Sequence, residues 1–175
     1  MCIVIAIETF AQTFRFVLQP CDFARQSACM NLGGENMKNS KLINAEVSYV
    51  VASLGHFDGL TICDAGLPIP AGVQRIDLAV TEGVPSLMDV LKTIVSEMEI
   101  QEVELAEESK AVSPEFHKEL LAFFETVAIE RGKPIPVCYV SHEVFKENTR
   151  ESVAVVRTGE FTPYANVTIK AGVAF

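Results

Sequence analysis

Tryptophan is absent from this 175-residue chain, and so is any concentration of positive charge: 14 Lys and Arg stand against 23 Asp and Glu, a net charge of −9. Proteins that grip a phosphate backbone do so with clustered Lys and Arg, so nucleic acid is not an expected partner. No apolar run approaches the roughly 20 residues that a membrane-spanning helix requires. The run from Ile3 to Ile7 is broken by Glu8 and has no Lys or Arg ahead of it, unlike a secretory signal. The five cysteines, Cys2, Cys21, Cys29, Cys63 and Cys138, show neither CxxC spacing nor paired histidine ligands, which argues against zinc and against a disulfide framework. A glycine-rich phosphate loop, a nucleophile elbow and an acid-rich metal motif are all missing, so phosphoryl transfer, serine hydrolysis and metal catalysis lack support.

What remains is ample apolar material, 49% of the chain, enough for one soluble domain that needs no staple. Residues 1–36 differ from the rest: they hold three of the five cysteines and no pattern that continues beyond them. Gly33-Gly34-Glu35-Asn36 stands directly before Met37, and its codons can spell a purine-rich ribosome-binding site. Residues 1–36 are therefore expected to be a translated leader or a disordered arm, and residues 37–175 the working domain.

In that domain Ile43, Val47, Val50, Val51 and Leu54 recur at helical spacing, with Asn44 to cap the start and Gly55 to end it in a left-handed conformation. Leu60–Cys63 reads as a buried strand that delivers Asp64 at its C-terminal end. Ser86 caps a helix carrying Val90, Leu91, Ile94, Val95 and Met98 on one face. Val103 and Leu105 alternate with Glu102 and Glu104 as in a strand with one wet face, and the acids from Glu102 to Glu108 read as solvated. Ser113-Pro114 opens a long helix with Phe116, Leu120, Phe124 and Val127 inward, ending by Gly132. Residues 135–140 read as a buried strand, 142–148 as a short helix capped by Ser141, and 153–157 and 166–170 as strands. Helices alternating with strands predict an α/β fold, a mainly parallel or mixed sheet flanked by helices.

Three histidines occur in the chain. His117, among Glu115, Lys118 and Glu119, reads as a surface residue. His56 sits in the polar break Gly55-His56-Phe57-Asp58-Gly59, and His142 in the first turn of a helix, where either a surface role or proton transfer suits it. Asp64 opens a stiff loop, Asp64-Ala-Gly-Leu-Pro-Ile-Pro70. Tyr164 and Asn166, two apart, face one side if the segment is extended, and their groups suit sugar hydroxyls or an ordinary turn. The residues alone indicate a polar pocket of His, Asp, Tyr and Asn.

With these residues in view, the chain resembles the D-ribose pyranase family, related to the L-fucose mutarotases, from Met37 to Phe175. The matching segments are Leu54-Gly-His-Phe-Asp58, Cys63-Asp-Ala-Gly-Leu-Pro-Ile-Pro70, Arg75-Ile-Asp77, Gly83-Val-Pro85, Ser141-His-Glu143, and Gly159-Glu160 through Pro163-Tyr-Ala-Asn166. His142 and the loop after Asp64 place it nearer the ribose branch. The resemblance implies an isomerase that interconverts pyranose and furanose forms of D-ribose. His56 matches the catalytic proton donor, and Asp64, His142, Tyr164, Ala165 and Asn166 match the sugar-binding positions. It further implies a cytoplasmic decamer of two pentameric rings with sites between neighbouring subunits, linked in function to a ribose transporter and ribokinase, and no cofactor. The rival readings are a non-catalytic sugar-binding accessory of ribose uptake and an L-fucose mutarotase.

Overall fold

The computed structural model describes residues 38–175 of the chain, so the leader or arm expected over residues 1–36 lies outside the described residues. Residues from Ser40 to Phe175 form one compact unit. Its elements in order are α1 (Ala45–Ser53), β1 (Gly59–Cys63), β2 (Gln74–Asp77), α2 (Leu87–Val95), β3 (Ile100–Ala106), α3 (Ser109–Val112), α4 (Pro114–Arg131), β4 (Val137–Val140), α5 (His142–Asn148), a 3₁₀ turn (Thr149–Glu151), β5 (Ser152–Arg157) and β6 (Val167–Ala171).

The six strands form one mixed sheet in the order β2-β5-β1-β6-β3-β4. β5 runs parallel to both β1 and β2, and β4 parallel to β3, while β6 lies antiparallel between β1 and β3. The expected α/β class and mixed sheet are both found. Alternation along the strands sends Leu60, Ile62, Val103, Leu105, Val167 and Ile169 into the main core, where Leu87, Leu91 and Ile94 of α2 and Leu120 and Phe124 of α4 meet them. A smaller cluster of Cys63, Leu67, Val155 and Phe145 seats α5. On the same face as Cys63, Thr61 hydrogen-bonds Ser152 and Thr168 at 2.8 and 2.7 Å, so the centre of the sheet is dry although it carries hydroxyls.

Local signals set four of the helix ends. Asn44 accepts from the Val47 N–H, Ser86 from Asp89 and Ser141 from Val144, each a side-chain N-cap. Gly132 closes α4 in the left-handed conformation at φ 63°.

Four of these local expectations differ, and one strand lies outside them. Gly55 is not left-handed: α1 ends at Leu54 in extended backbone, and the Gly55 N–H donates to Asp58 Oδ2 at 2.7 Å. Ser113 makes no side-chain cap for α4, because its hydroxyl is committed to Pro163. Glu104 does not face water, since Asn148 of α5 packs over it and donates to Oε2 at 2.8 Å; burial raises that carboxyl's pKa. β4 is an edge strand, shorter than expected and only half buried. β2 was not anticipated as a strand: it is an edge with Ile76 alone facing inward, so alternation is too short to register.

Candidate functional site

Strand direction gathers the candidate residues. β1 to β5 all point the same way, and β6 runs back between β1 and β3, so one end of the sheet holds the segments after five strands and the turn before β6. Asp64 follows β1, Glu108 follows β3, His142 follows β4, Glu160 follows β5, and Tyr164 and Asn166 precede β6. In open α/β sheets that end is the usual place for a ligand, because loops there diverge around a crevice.

An open pocket of about 560 Å³ occupies it, its wall including Asp64, Leu67, His142, Arg157, Glu160 and Tyr164. Asp64 is held on every side: Oδ1 accepts from the Gly66 N–H at 2.8 Å, and Oδ2 from Asn166 Nδ2 at 2.9 Å. The Asp64 N–H in turn donates to Asn166 Oδ1 at 3.0 Å. Asn166, 1% exposed, is thus a buried clamp beneath the carboxylate and not a member of the pocket wall.

Ala165, fully buried, also lies beneath the wall, its N–H donating to Thr162 O at 3.2 Å. The segment is not extended as expected: Tyr164 has φ 60°, and the Asn166 N–H folds back to Tyr164 O at 2.9 Å. The turn sends Tyr164 and Asn166 in different directions. The Tyr164 ring meets His142 edge to face, centroids 4.8 Å apart, and His142 Nδ1 is buried without a hydrogen-bond partner.

Two wall residues, Arg157 and Glu160, have no individual role assigned by sequence reasoning. Arg157 Nε donates to Ala65 O at 3.0 Å while its guanidinium pairs with Asp77, which fixes the loop after Asp64 to the end of β5. Glu160 Oε1 accepts from the Phe161 and Thr162 N–H groups and from the Thr162 hydroxyl, the last at 2.6 Å. Burial alone pushes Glu160 upward, but these bonds together hold its carboxyl below the usual range. The signal for it was the acid in Gly159-Glu160, two residues ahead of a threonine in a Pro-bounded turn. Cys63, next to Asp64, is no nucleophile: burial first, then the Asp64 charge, push its thiol up to about 12.

His56 stands apart. It is exposed, at the tip of a turn in which Phe57 takes φ 71° and donates its N–H to Ala171 O at 2.8 Å. Ala171 is the last residue of β6 and Asn166 precedes its first, so His56 and Asp64 lie at opposite ends of the sheet, about 16 Å of strand between them. Within one chain Asp64 does not orient His56. His117 is not free at the surface either: Ser109 Oγ gives its own proton to Ala106 O, so His117 Nδ1–H donates to Ser109 at 3.1 Å, and Nε2 accepts from the Tyr139 hydroxyl at 3.2 Å.

The sequence profile of the RbsD / FucU transport protein family matches residues 37–174. The chain belongs to the RbsD / FucU transport protein family. Curated members of this family include the D-ribose pyranases of Maridesulfovibrio salexigens and Psychromonas ingrahamii, 63% and 58% identical over 139 residues, which are 79% of this chain and all of each relative. Among solved RbsD / FucU structures, Bacillus subtilis RbsD complexed with D-ribose is 41% identical with a TM-score of 0.72, covering 79% of this chain and all of that one. The fucose mutarotase of Streptococcus pneumoniae in complex with L-fucose has a TM-score of 0.63 at 19% identity, covering 79% and 100%, a likeness of fold. The RbsD / FucU match therefore begins at Met37, where the sequence changes character.

Proposed function

We propose that the chain interconverts the pyranose and furanose forms of D-ribose. The observation that carries this is 63% identity over 139 residues, the whole length of a relative named D-ribose pyranase. The pocket at the sheet end agrees with it, offering a carboxylate, an imidazole and a phenol to a small polyol. Ring opening breaks the bond between the anomeric carbon and the ring oxygen. That oxygen takes a proton, the anomeric hydroxyl gives one up, and the open-chain aldehyde forms. A different hydroxyl then adds to the same carbon as the protons return. No electrons leave the sugar.

In this reading Asp64, His142 and Tyr164 hold the sugar, with Ala165 and Asn166 building the floor beneath them, and His56 is the proton donor. Histidine exchanges protons at neutral pH, and positioned acid catalysis contributes about 10² to 10⁴-fold. Because His56 lies at the far end of β1 from the pocket, the donor comes from a second copy of the chain. The site then forms between subunits, in an assembly proposed as two stacked pentameric rings. The exposed Phe57, whose ring meets that of His56, gives that end apolar surface for such a contact. Cytoplasmic ribose, delivered by a transporter and consumed by a kinase, is the proposed setting.

The test is NMR exchange spectroscopy of ribose ring forms. Purified protein is expected to accelerate exchange, and ribose binding without acceleration would instead make it an accessory of uptake; faster turnover of L-fucose than of ribose would make it a mutarotase. His56→Gln is expected to fold and to lose at least about 10²-fold of the rate, because an amide supplies no proton. Mixing inactive His56→Gln with inactive Asp64→Asn subunits is expected to restore part of the activity. Near-normal exchange by folded His56→Gln, or no recovery on mixing, overturns the assignment.

A further inference from the structure

His142 and Tyr164 belong to different elements, α5 and the turn before β6, yet their rings stand edge to face at 87°. Neither ring bonds the other. Tyr164 also sits in a left-handed conformation that a bulky residue rarely keeps unless its neighbours are held.

One short segment reaches both. Glu108, just ahead of α3, accepts the His142 backbone N–H on its two carboxylate oxygens, at 3.0 and 2.9 Å. Ser113, just after α3, donates its hydroxyl to Pro163 O at 2.7 Å, the carbonyl directly before Tyr164. Between these anchors the chain makes a tight turn: the Val112 N–H donates to Glu108 O and the Ser113 N–H to Ser109 O, both at 3.0 Å. The turn is itself pinned, since the Glu107 N–H donates to Val140 O at 2.8 Å, and His117 ties Ser109 to α4. The bond from His142 is the leading reason the Glu108 carboxyl lies below the usual range, so the acceptor is charged at neutral pH.

We propose that Glu108 and Ser113 are positioning residues of the ribose site, the two ends of a rigid bracket that sets the spacing of His142 and Tyr164. Neither residue has to touch the sugar. The inference rests on the reading of the pocket as a ribose site. A bracket acts on binding and leaves proton transfer alone, so its loss raises KM and Kd for ribose and leaves kcat unchanged.

The experiment uses the full chain and the variants Glu108→Ala, Glu108→Gln and Ser113→Ala, measuring KM and kcat by ring-exchange NMR and Kd for ribose by calorimetry. The ¹⁵N–¹H shift of the His142 amide is read in parallel. Loss of one charge-assisted bond is expected to raise KM and Kd about tenfold in Glu108→Ala, with kcat within about twofold. Glu108→Gln keeps an oxygen for the His142 N–H and is expected within about threefold of the parent. The His142 amide resonance is expected to move upfield in Glu108→Ala. Unchanged Kd in folded Glu108→Ala overturns the proposal, as does an equal loss in the Ala and Gln variants. If Glu108→Ala does not fold, Ser113→Ala decides, and an unchanged Kd there overturns it. A parent protein that neither binds nor interconverts ribose overturns the functional reading instead. The amide shift then judges the bracket alone, and an unmoved His142 resonance in the soluble variant overturns that too.

Discussion

Asn166→Asp isolates the clamp beneath Asp64 with a change of one atom type. In the parent, Asn166 Oδ1 accepts from the Asp64 N–H and Nδ2 donates to Asp64 Oδ2 at 2.9 Å, with Asn166 only 1% exposed. The variant keeps the acceptor and replaces the donor with a second carboxylate oxygen. Two carboxylates about 3 Å apart repel by about 5 kcal/mol at an effective dielectric constant near 20. Holding one aspartate protonated at pH 7 costs about 4 kcal/mol, three pH units at about 1.4 each, so proton uptake is the cheaper route. The proton then bridges the pair and replaces the lost hydrogen bond. Near pH 7 the variant is expected to be about 4 kcal/mol less stable than the parent, a fall in Tm of roughly 10 to 15 °C. The sign with pH follows from linkage: one carboxyl of the folded variant binds its proton more tightly than an unfolded aspartate does. Its contribution is complete below about pH 4 and is lost as pH rises toward neutrality. Thermal melts at pH 4.5 and pH 7.5, at matched protein concentration, read this directly. A deficit of equal size at both pH values would show that the clamp is not electrostatic, and a variant as stable as the parent at pH 7.5 would refute it outright.

Two further outcomes follow from the same region and its support. A Cβ on Gly159 would overlap Thr81 O and lie 2.6 Å from Val84 N, all backbone, where Gly159 also accepts from Gly83 at 2.7 Å and donates to Pro85 at 2.9 Å. Gly159→Ala is therefore expected to lose about 3 kcal/mol by thermal melt, and an unchanged Tm would contradict the close approach. Burial and then the Lys110 charge hold His117 below the usual histidine range, so its contribution is whole above about pH 6.5 and declines as pH falls through the folded value. The stability gap between the parent and His117→Gln is expected to narrow from pH 7.5 to pH 5, and a gap that widens would reverse the sign of the argument.

The fold was legible where a rule of local chemistry was also the rule that won. Asn44, Ser86 and Ser141 cap because an N-terminal N–H needs an acceptor whatever the tertiary setting, and the apolar stripe of α2 has one face to bury. β2 and β4 were harder because an edge strand needs little apolar sequence: its partner supplies the hydrogen bonds, as β5 does for Gln74–Asp77. Glu104 and Glu108 were lost in one acidic run for a different reason. Charge patterning describes which residues water tolerates, and it carries no information about which of them a neighbouring element needs. Asn148 takes Glu104, and the His142 N–H takes Glu108, from 44 and 34 residues away.

The same distinction governs the site. Residue type and motif pointed to Asp64, His142, Tyr164 and Asn166, and the chain does gather these at one end of the sheet, because β1, β4 and the start of β6 all terminate there. Their roles were not legible, since role depends on direction: a left-handed Tyr164 turns its ring to His142 and leaves Asn166 to face Asp64 from below. His56 shows the limit of sequence proximity most plainly. Seven residues separate it from Asp64, which in a loop would bring the two within reach, but five of those seven are β1. An extended strand carries its ends apart by about 3.3 Å per residue, so closeness in sequence here guarantees distance in space. A proton donor at His56 and a sugar at Asp64 are then compatible in one arrangement, the far end of one sheet placed against the pocket of another copy. That is why partial recovery of activity on mixing His56→Gln with Asp64→Asn subunits is the decisive measurement: where an Asp64→Asn subunit presents its His56 to the pocket of a His56→Gln subunit both groups are intact, and no folded monomer of either kind contains both.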